Sequence, residues 1–215
     1  MYHRNMDPVN GFVLAGGKST RMGRDKTLLE LAGHPLIEHM TELVRTICDQ
    51  ACIVGERAKF SRFAPVVEDV YPGHGPLGGI HAALASSETD LNLVIGVDLP
   101  FLPEGFLRYL ISQSRSSGAV ITIPEAGGHL QTLCAVYRKE FAEVAQRALS
   151  SGRNKVDAAF AEVSIKKISG DELVKAGFDA AIFRNVNTPE DWHEAQREFA
   201  SRVPGAGGQH VGEQR

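Results

Sequence analysis

Short apolar runs alternating with stretches of helical period constrain this chain more than any other feature. Gly11-Phe-Val-Leu-Ala15 is an apolar run stopped by Gly16-Gly17, which reads as a buried strand ended by a turn. After Pro35, which suits a first helical position, Leu36, Ile37, Met40, Leu43, Val44 and Ile47 recur at helical spacing and predict the first crossover helix. The pattern repeats with strands expected at 51–54, near Val66 and at 91–97, and a helix at about 79–86. Strand, helix, strand in succession implies an α/β domain: a mostly parallel, Rossmann-like sheet with helices on both faces.

The second half is less regular. It predicts a helix at 104–113, strands at 119–123 and 133–137, and a helix at 139–149. Short elements follow near 163–168 and 182–186, the latter read as a late strand. A last helix opens at Thr188-Pro-Glu-Asp191, where two acids occupy the first turn. A length of 215 residues suits one domain, expected over residues 1–200. Residues 201–215 are expected to form a disordered tail, because 203–215 hold four glycines, one proline and almost no apolar side chains.

Composition narrows the class. A net charge of -3 argues against binding nucleic acid in bulk, so any basic chemistry is local. Cys48, Cys52 and Cys134 match neither a zinc ribbon nor a redox pair and read as buried, reduced thiols. No apolar run reaches the roughly 18 residues of a spanning helix, and residues 1–10 lack a signal-peptide core, so a cytoplasmic protein without membrane contact is expected.

Leu14-Ala-Gly-Gly-Lys-Ser-Thr-Arg-Met-Gly-Arg-Asp-Lys26 is the stretch richest in chemistry. Small residues let a ligand approach the backbone, and free N–H groups in a glycine turn make a concave anion site. Lys18, Arg21, Arg24 and Lys26 add four cations within nine residues, which together describe a triphosphate cradle. It matches neither G-x-x-x-x-G-K-[ST] nor G-x-G-x-x-G; a solvated basic loop is the competing reading. Val94-Ile-Gly-Val-Asp98-Leu-Pro100 places one carboxylate at the exit of an apolar strand, where it can hold magnesium or merely cap a turn. Glu68-Asp69 precedes a glycine-rich loop, so Asp69 either accepts hydrogen bonds from a nucleoside or is a solvated acid in a connector. Asn185 and Asn187 could reach the same crevice, or serve as turn formers before an N-cap at Thr188. No histidine shows metal-ligand spacing.

These residues resemble the molybdenum cofactor guanylyltransferase family, within the wider set of sugar-nucleotide and cofactor nucleotidyltransferases. Leu14-Ala-Gly-Gly-x-Ser-x-Arg-Met-Gly-x-Asp-Lys26 is similar to that family's signature, whereas sugar-phosphate relatives usually carry Leu-Ala-Ala-Gly and a proline before the lysine. Gly75-Pro-Leu-Gly-Gly79, Asp98-Leu-Pro100 and residues 131–137 and 185–191 continue the match in the family's order, covering roughly 11–199. Thr132 falls where many relatives have proline, and Gly55 lies where some have a base-contacting Asn.

The resemblance implies a nucleotide-diphospho-sugar transferase-like fold. It also implies that Leu14, Ala15, Gly16, Gly17, Lys26, Asp69 and Asp98 contact GTP, with Asp98 binding Mg2+ and Arg21 and Lys26 stabilising charge on the triphosphate. A terminal phosphate of molybdopterin would attack the α-phosphate, releasing pyrophosphate and forming a guanine dinucleotide cofactor, with Asn185 and Asn187 near the acceptor. Transient contact with proteins that insert the finished cofactor belongs to the same expectation. A cytidylyltransferase acting on the same pterin and a catalytically silent GTP-binding delivery subunit are the alternatives.

Overall fold

The computed structural model describes residues 7–16 and 25–202. In chain order its strands are β1 (Val9–Leu14), β2 (Glu30–Leu31), β3 (His34–Pro35), β4 (Gln50–Val54), β5 (Val66–Val67), β6 (Leu91–Gly96), β7 (Ile121–Ala126), β8 (His129–Leu130), β9 (Cys134–Arg138) and β10 (Ile165–Ile168). The α-helices are α1 (Leu36–Arg45), α2 (Arg57–Phe60), α3 (Gly75–Ser86), α4 (Glu104–Ser117), α5 (Phe141–Ser150), α6 (Gly170–Lys175) and α7 (Pro189–Arg202).

The main sheet runs β10-β7-β9-β6-β1-β4-β5, with β8 paired to the end of β7. β1 is parallel to both β4 and β6, and β10 is parallel to β7. β9 alone on this path runs against its neighbours β6 and β7. From β1 the chain steps outward to β4 and β5, then returns to lay β6 on the other side of β1. That reversal opens a crevice at the carboxyl ends of β1 and β6, the switch point where open α/β sheets take ligands.

The sequence dictates this arrangement locally. β1 and β6 are buried along their whole length, as strands covered on both faces must be, and so they read as near-continuous apolar runs. Side chains alternate across the sheet. Phe12, Leu14 and Val94 meet Leu77 and Ile80 of α3 and Phe141 and Val144 of α5. Val13, Leu93 and Ile95 point the other way, into a core shared with α1, α4 and α7, where Met40, Phe106 and Trp192 are buried. Each such side chain contributes roughly 1.5–3 kcal/mol relative to exposure. Gly11 sets how closely α1 lies on β1: a Cβ there would stand 2.1 Å from Val44 Cγ1.

Several boundaries differ from expectation. Pro35 is the N-cap of α1 and not its first residue. α3 begins at Gly75, with Pro76 in the first positions. No strand occupies 182–186: Ala180–Phe183 is a 3-10 turn, because Ile182 and Phe183 pack into the core without a neighbouring strand to pair with. α6 was not anticipated, nor was the β7–β8 hairpin, whose Gly127 and Gly128 both take positive φ. Cys134 is buried as expected, but Cys48 and Cys52 are only half-buried; all three are free thiols. Ser201 and Arg202 complete α7, and the tail expected from 203 to 215 lies outside the described residues.

Candidate active site

The end of β6 carries Asp98 into the crevice. Val97 N donates to Leu14 O at 3.1 Å, which ties this exit to the end of β1. The carboxylate folds back over the strand end, and Gly96 makes room for it: a Cβ at Gly96 would stand 2.6 Å from Asp98 Oδ1. Lys26 approaches from the other side. Its Nζ lies 3.3 Å from Asp98 Oδ2 and donates to Asn187 Oδ1 at 2.8 Å. Lys26 and Asp98 side chains are 16% and 22% exposed, so the pair is shielded but not sealed.

Asn187 is held by the start of α7. The N–H groups of Asn187 and Thr188 both donate to Asp191 Oδ2 at 2.9 Å, and Asp191 N donates to Thr188 Oγ1 at 3.1 Å. The Asn187 bond, then that of Thr188, holds the Asp191 carboxyl below its ordinary range. Val186 N donates to Asp98 O at 3.0 Å, so this segment is fastened directly to the Asp98 turn. The misread strand therefore lands where the crevice needs it, by single hydrogen bonds instead of a ladder.

Beside this cluster a cleft of about 770 Å³ opens over the ends of β1, β4 and β5. Leu14, Ala15, Gly16 and Asp69 line it, together with Asp25, Gly55, Glu56, Lys59, Phe60 and Glu68. Asp69 Oδ1 accepts from Tyr71 N at 2.8 Å, and its other oxygen lies so near α3 that a Cβ at Gly78 would meet it at 3.0 Å. The same carboxylate faces His81, whose ring packs edge-on to Tyr71. Burial lowers the His81 pKa and Asp69 only partly restores it, which favours the neutral ring.

Asp25, the residue before Lys26, is pinned. Thr27 donates both N–H and Oγ1 to Asp25 Oδ1, at 3.1 and 2.6 Å, and Lys59 forms an ion pair with the other oxygen. Burial pushes the Asp25 carboxyl up, but Lys59 and Thr27 outweigh it and hold it below its ordinary range. Neither Lys59 nor its bond to Asp25 was foreseen. Lys59 sits in a four-residue helix with no motif, 34 positions from its partner. Gly55 has a steric reason to lack a side chain, since a Cβ there would meet the buried Phe60 ring at 2.9 Å. Thr132 N donates to Leu130 O at 3.1 Å, a bond that proline could not make.

The structure thus brings Lys26, Asp98 and Asn187 together and sets Leu14, Ala15, Gly16 and Asp69 around the adjoining cleft. Asn185 is exposed and has no part in the cluster's bonds. Gly17 and Arg21 lie outside the described residues. Among the described residues no three His, Cys, Asp or Glu side chains cluster as a metal cage. Magnesium does not require one: it takes one or two carboxylates and fills its shell with phosphate and water, and Asp98 at the crevice mouth suits that donor set. No helix of the described residues is long and apolar enough to cross a membrane.

A doubly wound sheet, a nucleotide-sized cleft beside its switch point and a lysine against a carboxylate there are the features of a nucleotidyltransferase. CMP-2-keto-3-deoxy-manno-octonic acid synthetase, solved with CTP, shares the fold with a TM-score of 0.70 over 91% of this chain and 100% of that one, at 11% identity. The chain belongs to the MobA-like NTP transferase domain family, whose model matches residues 11–164. A relative from Pelotomaculum thermopropionicum, named "Probable molybdenum cofactor guanylyltransferase", is 34% identical over 87% of this chain and 92% of its own. The molybdenum cofactor guanylyltransferase of Desulfosudis oleivorans is 31% identical over 89% of this chain and 96% of its own. The solved molybdopterin-guanine dinucleotide biosynthesis protein A from Archaeoglobus fulgidus superposes with a TM-score of 0.78 at 27% identity, covering 90% of this chain and all of that one.

Proposed function

We propose that the protein transfers GMP from GTP to the terminal phosphate of molybdopterin. An acceptor phosphate oxygen forms a bond to the α-phosphorus, the bond from that phosphorus to the bridging oxygen breaks, and pyrophosphate leaves. The observation that carries this reading is the Lys26–Asp98–Asn187 cluster at the switch point, beside a cleft of nucleotide size. The names of the relatives supply the guanine and the pterin.

The chain has little covalent work to do, because an ionised acceptor phosphate needs no general base. Phosphoryl-type transfer rests on positioning and charge neutralisation. Lys26 turns its ammonium from Asp98 to the triphosphate as the nucleotide enters, and Asn187 keeps it aimed. Arg21 adds charge from the signature loop. Leu14, Ala15 and Gly16, with Gly17, offer backbone to the nucleotide, and Asp69 accepts from the ribose side. Asp98, once released by Lys26, would hold Mg2+, which neutralises phosphate charge when bound. Asn185, exposed near the mouth, offers its amide to the acceptor. The reaction is assigned to the cytoplasm.

The test is pyrophosphate release from GTP and from CTP, each with molybdopterin and Mg2+. Release from GTP with formation of the dinucleotide is expected. Preference for CTP, or GTP binding without release, would overturn the reading in favour of a cytidylyltransferase or a silent binding subunit.

A further inference from the structure

The cleft has an end that phosphate chemistry does not use. Lys26 and Asp98 stand beside the cleft, Asp98 just past the end of β6, and mark the side on which the proposed reaction places the phosphates. A nucleoside extending away from them crosses the end of β1 and arrives at β4 and α2, where Gly55, Glu56 and Phe60 line the cleft. Gly55 presents bare backbone here, and the buried Phe60 ring behind it leaves no room for a side chain. Of these three residues, Glu56 alone carries a polar side chain with which to read a base.

The four carboxylates of the cleft differ in one respect. Asp25 is taken by Lys59 and Thr27, Glu68 pairs with Arg57, and Asp69 accepts from Tyr71. Glu56 is exposed and stands at the N-cap of α2; its carbonyl accepts from Lys59 N and Phe60 N, but its carboxylate makes no capping bond and has no partner among the described residues. Lys59, one turn along, is already engaged by Asp25 and does not neutralise it.

We propose that Glu56 selects the base, accepting the N1–H and N2–H of guanine with its two carboxylate oxygens. The inference rests on the guanylyl-transfer reading and supplies what the sequence left open there, the choice of base. Guanine offers two adjacent donors on that edge, matching a bidentate acceptor. Cytosine sets one donor beside an acceptor nitrogen, which a carboxylate repels. Adenine does the same. Xanthine keeps N1–H but carries a carbonyl in place of the amino group, so it suits an amide better than a carboxylate.

The experiment compares GTP, CTP and xanthosine triphosphate with the parent enzyme and with Glu56→Gln and Glu56→Ala, measuring KM and kcat of pyrophosphate release. A charge-assisted hydrogen-bond pair of this kind predicts a rise of about tenfold to a hundredfold in KM for GTP in both variants, with kcat little changed. Xanthosine triphosphate is expected to improve in Glu56→Gln and not in Glu56→Ala. If the parent uses GTP and Glu56→Gln keeps its preference for GTP over xanthosine triphosphate, Glu56 is not the selector, while guanylyl transfer stands. If the parent turns over CTP in place of GTP, both readings fall.

Discussion

Lys26 is the residue on which the site converges. On the proposed mechanism, replacement by Ala removes a donor to charge that develops on the leaving phosphates, and such losses cost about 2.7–4 kcal/mol, or roughly a hundredfold to a thousandfold in kcat. Steady-state pyrophosphate release checks this, with circular dichroism as the control for folding. Gly96→Ala is the subtler probe. Its Cβ would land on Asp98 Oδ1, and a carboxylate is the movable end of a side chain, so the fold survives while Asp98 shifts. Misplacement of this order lowers turnover by about a hundredfold; unchanged turnover with unchanged magnesium dependence would show that the seat of Asp98 is immaterial. Lys26 and Asp98 were legible in the sequence because a glycine-rich basic segment and a strand-ending acid each announce phosphate chemistry. Asn187 as partner of Lys26 was not, since nothing local records a contact 161 positions away. Lys59 was hidden for the same reason.

Among the elements, the long buried strands and α1 were read correctly because apolar spacing is a property of each segment alone. The segment at 182–186 failed because strand identity also needs a neighbour to pair with. α6 failed for the opposite reason: six residues are too short for a periodic signal, and the evidence lay in its cap. There Ser169 and Glu172 form a reciprocal capping box. Glu172 also accepts from Lys166 at 2.6 Å. That bond, then the Ser169 N–H, lowers the Glu172 carboxyl from 4.5 to about 2. A carboxyl depressed on folding stabilises above its ordinary pKa, so its contribution is present above pH 4.5 and fades as pH falls toward 2. In Glu172→Gln the denaturant midpoint should therefore sit below the parent's at pH 7, with the gap closing at low pH. A gap that stays constant would assign the effect to packing.

For the whole molecule, two cores lie on opposite faces of one sheet, and the cleft lies at the sheet's end, where it joins both. A ligand that binds only the folded chain stabilises all of it: at a hundred times its Kd, Mg-GTP should contribute about 2.7 kcal/mol. That corresponds to a rise in Tm of about 5–10 °C for a chain of this size, readable by scanning calorimetry and expected to shrink in the Lys26→Ala variant. The cluster at the switch point also has a history written into it. Lys26 comes from the start of the chain, Asp98 from the middle, and Asn187 from the approach to the last helix. During synthesis the nucleotide cleft can be complete, with every residue that lines it already made, while the lysine still waits for its last partner. Substrate binding would come before catalytic readiness, in a nascent chain able to hold GTP before Asn187 has joined the cluster.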